Sequence, residues 1–236
     1  MPPYTSYRRR GGEFEIPGRK FNPAYESLHR HIPNDKLLVY NATKGVLKIQ
    51  EQDTQSNSLV LSIGGTCRNP GTPGARAAWG VYFGPESPYN ASALLDPALP
   101  QTKARAEMEA LRQALSIVKA KIISGDYQPR RCIIKTHSSY IRRVFPRLVH
   151  RRAAEKVAFS ELLMEIEERL EDMGYVDGVD RSTNTMFWCV EQEENQEADG
   201  LAVDALARSR DEHEKRRRWK LFKCKYVVCL ARMWST

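Results

Sequence analysis

SLVLSIGGTCRNPGTPGARAAWGVYFG, residues 58–84, reads as a strand, a tight turn and a second strand. Leu59–Ile63 is a short apolar run. Residues 68–76 carry Pro70, Gly71, Pro73 and Gly74, which together are turn chemistry. Beyond them Trp79, Val81 and Phe83 recur at every second position, the period of a strand with one buried face. A turn at Pro85–Pro88 leads into a third strand over Asn90–Leu95, completing an antiparallel meander. Taken by itself, Gly64 beside Gly65 passes for a kink at a strand end.

Downstream, the periodicity changes. Thr102 is a helix N-cap, and Met108, Leu111, Leu115, Val118 and Ile122 make one apolar stripe along Arg105–Ile122. Arg131–Thr136 predicts a buried fourth strand. A short helix follows and is broken near Pro146. Ala153–Met173 predicts a long helix, Thr185–Val190 a fifth strand and Glu194–Ala207 a final helix. A helix between strands three and four requires a crossover, so the expected sheet is mixed, with five strands in the order β-β-β-α-β-α-α-β-α.

Upstream, residues 1–57 are punctuated by proline and glycine and read as a mostly irregular N-terminal extension, with a short hairpin over 36–50. The expected division is therefore this extension, a folded domain over 58–208 and a basic tail over 209–236. The net charge of +8 follows that division. Residues 1–58 hold nine Lys/Arg against six Asp/Glu, and residues 208–236 hold ten against three, while the body between them holds eighteen against twenty. Such tails suit an anionic partner or solubility. No run of about 18 apolar residues is present. The N-terminal residues carry no apolar secretory segment, and the five cysteines include no CxxC pair. The expected location is intracellular, nuclear or cytoplasmic.

Three segments resemble single-domain, type 1-like ribonuclease H in the variant found in fungal multi-copy families. GGTCRNPGTPGARAAWGVYFG resembles a DGACRGNG-PGARAGWG opening. PQTKARAEMEAL resembles a T-x-x-R-A-E-L-x-A-L helix start, and WCVEQEENQEADGLA a W-x-V-P-x-E-x-N-x-E-A-D-x-L-A ending. Between them IIKTHSSYI holds the place of a T-D-S-x-Y strand end. The resemblance covers residues 58–208 and implies a ribonuclease H-like α/β fold, a meander of strands 1–3 followed by parallel strands 4 and 5 with helices on the sheet faces.

What the family implies for chemistry is two-metal hydrolysis of the RNA strand of an RNA/DNA hybrid. Mg²⁺ or Mn²⁺ would be held by four converging carboxylates. Carried over position by position, those carboxylates fall on Gly64, Glu107, His137 and Asp199. Glu107 and Asp199 remain as metal ligands, whereas Gly64 has no side chain and His137 brings nitrogen without negative charge. Glu109, about 200° around the helix from Glu107, is expected to face away. Restoring both losses, Gly64→Asp with His137→Asp, is expected to create metal binding. Substrate contacts implied by the resemblance fall on Arg68, Thr102, Lys103 and Ser139.

One region is enriched in charge. Arg130, Arg131, Lys135, Arg142, Arg143, Arg147, Arg151, Arg152 and Lys156 crowd residues 130–156, with Glu155 the one acid. This is where relatives carry a basic protrusion that grips the hybrid. Phosphate contact of that kind gives affinity without sequence information. The C-terminal tail interleaves cations with Trp219, Phe222 and Tyr226, which suits base stacking, an acidic protein partner or a nuclear-localisation cluster. The leading expectation is a ribonuclease H-like nucleic-acid-binding protein with lost or strongly reduced nuclease activity. The alternatives are an active hybrid endoribonuclease with an altered metal site and a non-catalytic protein-interaction scaffold.

Overall fold

The computed structural model describes residues 19–25, 31–50, 57–123, 127–144, 159–174 and 183–209. After a one-turn helix α1 (Asn34–Leu37), strands β1 (Leu38–Asn41) and β2 (Val46–Ile49) form a hairpin. Strand β3 (Ser58–Arg68) is the longest and pairs antiparallel with β4 (Arg76–Tyr82), which pairs in turn with β5 (Ala91–Leu94). Helix α2 (Lys103–Ile117) crosses over to β6 (Arg131–Thr136), which lies parallel to β3. Helices α3 (Ser139–Val144) and α4 (Ser160–Gly174) follow, then β7 (Asn184–Cys189), parallel to β6, and helix α5 (residues 196–209).

The mixed α/β architecture is the expected one, a meander plus two parallel strands. The strand count is not. Among the described residues the sheet has seven strands rather than five, because β2 joins β3 at Leu47–Val60, on the part of β3 that precedes its pairing with β4. The first strand is also longer than its apolar run. Leu59–Ile63 extends through both glycines to Arg68, with Gly64 paired to Gly80 and Gly65 to Trp79.

Alternation along β3 builds a core on each face. Leu59, Leu61 and Ile63 pack with Met108, Leu111 and Leu115 of α2 and with Leu163 and Ile166 of α4. Val60 points the other way, into a smaller cluster with Ile133, Trp188, Phe21, Leu37 and Ile49. Residues upstream of β3 thus close one side of the sheet. Lys20 bridges to Phe187, and Phe21 meets the Trp188 ring edge-on at 5.5 Å.

Helix α2 starts where Thr102 predicts it. The Thr102 hydroxyl oxygen accepts from the Arg105 amide at 3.1 Å, satisfying one orphan N–H of the first turn. At its other end the helix widens into a π-turn over Val118–Ile123. The expected helix Ala153–Met173 is described from Ser160 onward, and Pro146 lies outside the described residues.

Candidate functional site

The two faces of β3 reach backbone contact with helices at adjacent residues. A Cβ on Gly65 would lie 2.6 Å from the Glu107 amide nitrogen of α2, and one on Gly64 would lie 2.9 Å from Ala198 C and Asp199 N of α5. The Asp199 carboxylate oxygen Oδ1 already lies over Gly64, where that Cβ would go. Glycine lets two helix backbones touch one strand from opposite sides. The result is that Gly64, Glu107 and Asp199 meet at one place, with His137 joining them from the end of β6.

Glu107 is buried in the first turns of α2 and accepts a hydrogen bond from the Ser138 hydroxyl. Burial pushes its carboxyl above the usual range, against the opposing pull of Ser138 and Lys103. Asp199 is pushed up to about 6 by burial, and Glu107 adds to that while Lys103 opposes it. Among the described residues its buried Oδ1 has no hydrogen-bond partner. A buried carboxylate oxygen without a donor is costly, which is why the proton is retained to higher pH.

His137 sits between the helices. Its Nε2 is 3.1 Å from Lys103 Nζ, and its Nδ1 is 3.2 Å from Asn195 Nδ2 and 3.6 Å from Asp199 Oδ2. An ammonium only donates, so Nε2 must accept and a neutral ring carries its proton on Nδ1, towards Asp199, which leaves the Asn195 amide without a ring acceptor. Burial, and then Lys103, hold His137 below its ordinary pKa. The imidazole is therefore neutral at pH 7, and its approach to Asp199 is a dipolar contact rather than an ion pair. Asn195 fixes the arrangement to the strand by donating to the Ile63 carbonyl at 3.0 Å.

Lys103 Nζ lies 3.8 Å from Glu107 Oε1 as well as 3.1 Å from His137, and its side chain is 50% exposed. On the far side of His137 a cleft of about 260 Å³ is lined by Thr136, Ser138, Arg142, Cys189 and Glu191. Arg142 is thereby placed beside the site, and Arg143 is exposed on the same short helix. Arg68 lies at the exposed end of β3, Thr102 caps α2, and Ser139 is exposed at the start of α3. Arg147, Arg151 and Arg152 lie outside the described residues, as does the tail beyond 209. Glu109 faces away as expected, towards Arg112 and Gln113. Ser138 and Asn195, both positions of the quoted motifs, are the site residues to which pattern reading assigns no role.

Two Mg²⁺ or Mn²⁺ ions do not fit these residues. Such ions need several converging oxygens. Here one corner is a glycine with no room for a Cβ, a second is a nitrogen, and an ammonium stands among the remaining groups. Among the described residues, no three His, Cys, Asp or Glu side chains converge closely enough to hold a metal ion. The expected restoration by Gly64→Asp also meets an obstacle invisible in sequence, since the α5 backbone occupies the needed space.

No family model matches the chain, and no curated protein sequence matches it. Solved structures similar to it include LC11-RNase H1 in complex with RNA/DNA hybrid, at 23% identity and a TM-score of 0.47, covering 64% of this chain and 97% of that one. RNase H1 from the halophilic archaeon Halobacterium salinarum NRC-1 is similar at 20% identity and a TM-score of 0.38, covering 64% and 98%. A foamy viral protease-reverse transcriptase in complex with RNA/DNA hybrid is similar at 16% identity and a TM-score of 0.47, covering 75% of this chain and 23% of that one.

Proposed function

We propose that this chain is a ribonuclease H-like protein that binds RNA/DNA hybrid without two-metal cleavage. The observation that carries the reading is the state of the four-position site. Glu107 and Asp199 are retained and face one another's surroundings, yet the Gly64 corner is filled by α5 and Lys103 stands beside Glu107 and His137. In-line displacement needs both the attacking and the leaving oxygen to be stabilised, and two metal ions cannot be held here to do it. The basic run through Arg130–Lys156, of which Arg142 is exposed beside the site and Arg143 on the same helix, supports a phosphate-bearing partner.

The test is a labelled RNA/DNA hybrid presented with Mg²⁺ or Mn²⁺, scored for both binding and cleavage. Binding that weakens steeply with salt and leaves the RNA strand intact is expected. Metal-dependent turnover abolished by Glu107→Gln would overturn the loss of cleavage. Failure to bind hybrid at about 0.15 M salt, with an acidic protein partner still retained, would favour a protein-interaction scaffold.

A further inference from the structure

We infer that Lys103 is the resident cation of this site, standing in for a dication between the retained carboxylates and a phosphodiester of the bound strand. Three observations converge on it. The ammonium is within 3.8 Å of Glu107 Oε1 and 3.1 Å of His137 Nε2, so it reaches two of the four positions directly. The site keeps two acids, Glu107 buried and Asp199 half-buried, and Lys103 is a cation within reach of Glu107. The Lys103 side chain is also half exposed, so it is open to solvent as well as to the site.

The geometry explains how one lysine serves. Lys103 lies one turn before Glu107 on α2, at i and i+4, so both side chains rise from the same face of the helix. An ammonium has three donors. One is used by His137 and another points towards Glu107, which leaves one for an outside acceptor. Because the side chain is half exposed, that donor is open to solvent and to a phosphate oxygen. A lysine acts on phosphate as a point charge and requires no coordination geometry. The retained acids then hold the lysine in place rather than a metal.

The phosphate part of this inference rests on the proposed hybrid binding, whereas the resident-cation part does not. The two are separated by measuring Mn²⁺ binding to the full chain by electron paramagnetic resonance without nucleic acid, and hybrid affinity in EDTA and in Mg²⁺. The expected results are a free-ion Mn²⁺ signal unchanged by the protein and equal hybrid affinity in the two buffers. Lys103→Met should weaken hybrid binding about tenfold in both, the effect of losing one charge-assisted hydrogen bond. Lys103→Arg, which keeps the charge, should recover most of it, and melting curves of both variants confirm that they fold. A saturable Mn²⁺ site in the wild type that is lost in Glu107→Gln, or hybrid binding that requires Mg²⁺, would overturn the inference and leave hybrid binding standing. Absence of hybrid binding in every buffer would overturn the phosphate role and the proposed function together.

Discussion

Glu107 and Glu109 lie two residues apart on one helix and are equally buried, each 6% exposed, yet their surroundings are opposite. Glu109 receives hydrogen bonds from Arg112 and Gln113, and Arg112 reaches on to Glu165 of α4. Burial raises its carboxyl, but the Arg112 and Gln113 bonds outweigh that, and the net direction is down. Glu107 has one hydroxyl donor and a lysine at 3.8 Å, and burial wins, so its net direction is up. What separates them is donor supply, not burial. A carboxylate fully supplied by its neighbours holds two helices together. One that is under-supplied, facing an equally under-supplied Asp199, marks the place where an outside partner is required.

The largest effect comes from adding an acid to the under-supplied side. Gly64→Asp forces a Cβ against the α5 backbone and a charge beside Asp199, and should destabilise by about 3 kcal/mol or more in urea unfolding. Neutralising the well-supplied acid comes next. Glu109→Gln leaves Arg112, which is partly exposed, without its main partner, and should cost about 1–2 kcal/mol. The under-supplied acid should respond with the opposite sign.

Asp199 is raised from 3.8 to about 6, so the folded state holds its proton more tightly than the unfolded chain does. Stability is then full below the unfolded value and declines as pH rises through about 6. Asp199→Asn should remove that decline and be more stable than the wild type at pH 7 by about 1–2 kcal/mol, with the difference vanishing below about pH 4. Denaturation midpoints across pH 4–8 measure it. A loss of stability at pH 7 would show that Asp199 is better supplied with donors than its orphaned oxygen indicates.

Much of the site is legible in the sequence because the motifs fix the spacing of the elements that carry it. Gly64, Glu107, His137 and Asp199 fall together because strand, helix start, strand end and last helix each bring a distinctive segment. Lys103 follows from its place one turn before Glu107. The misses are local. Ser139, the polar contact the resemblance implies, lies exposed at the start of α3, and Ser138 before it is the capping residue that turns inward, with its hydroxyl accepting from the Ile141 amide at 3.2 Å. A serine three residues before the first apolar position of a helix was the signal for that. Asn195 is a position of the ending motif, but its role is not legible there, because it depends on a carbonyl of β3, 132 residues away. The hairpin of β1 and β2 is legible over 36–50, but its addition to the sheet is not, since four-residue runs do not announce which edge they will pair with.

Paired across the ladder, Gly64 and Gly80 form a bare patch on the sheet, and the α5 backbone rests on both. As a constraint on sequence change, that seat behaves like a ratchet. Any larger residue at 64 or 80 must first push α5 outwards. A single substitution cannot do that without loosening Asn195 from Ile63 and Asp199 from its place beside His137. A side chain at position 64 therefore requires change in the helix first, at positions such as Ala198 and Ala202.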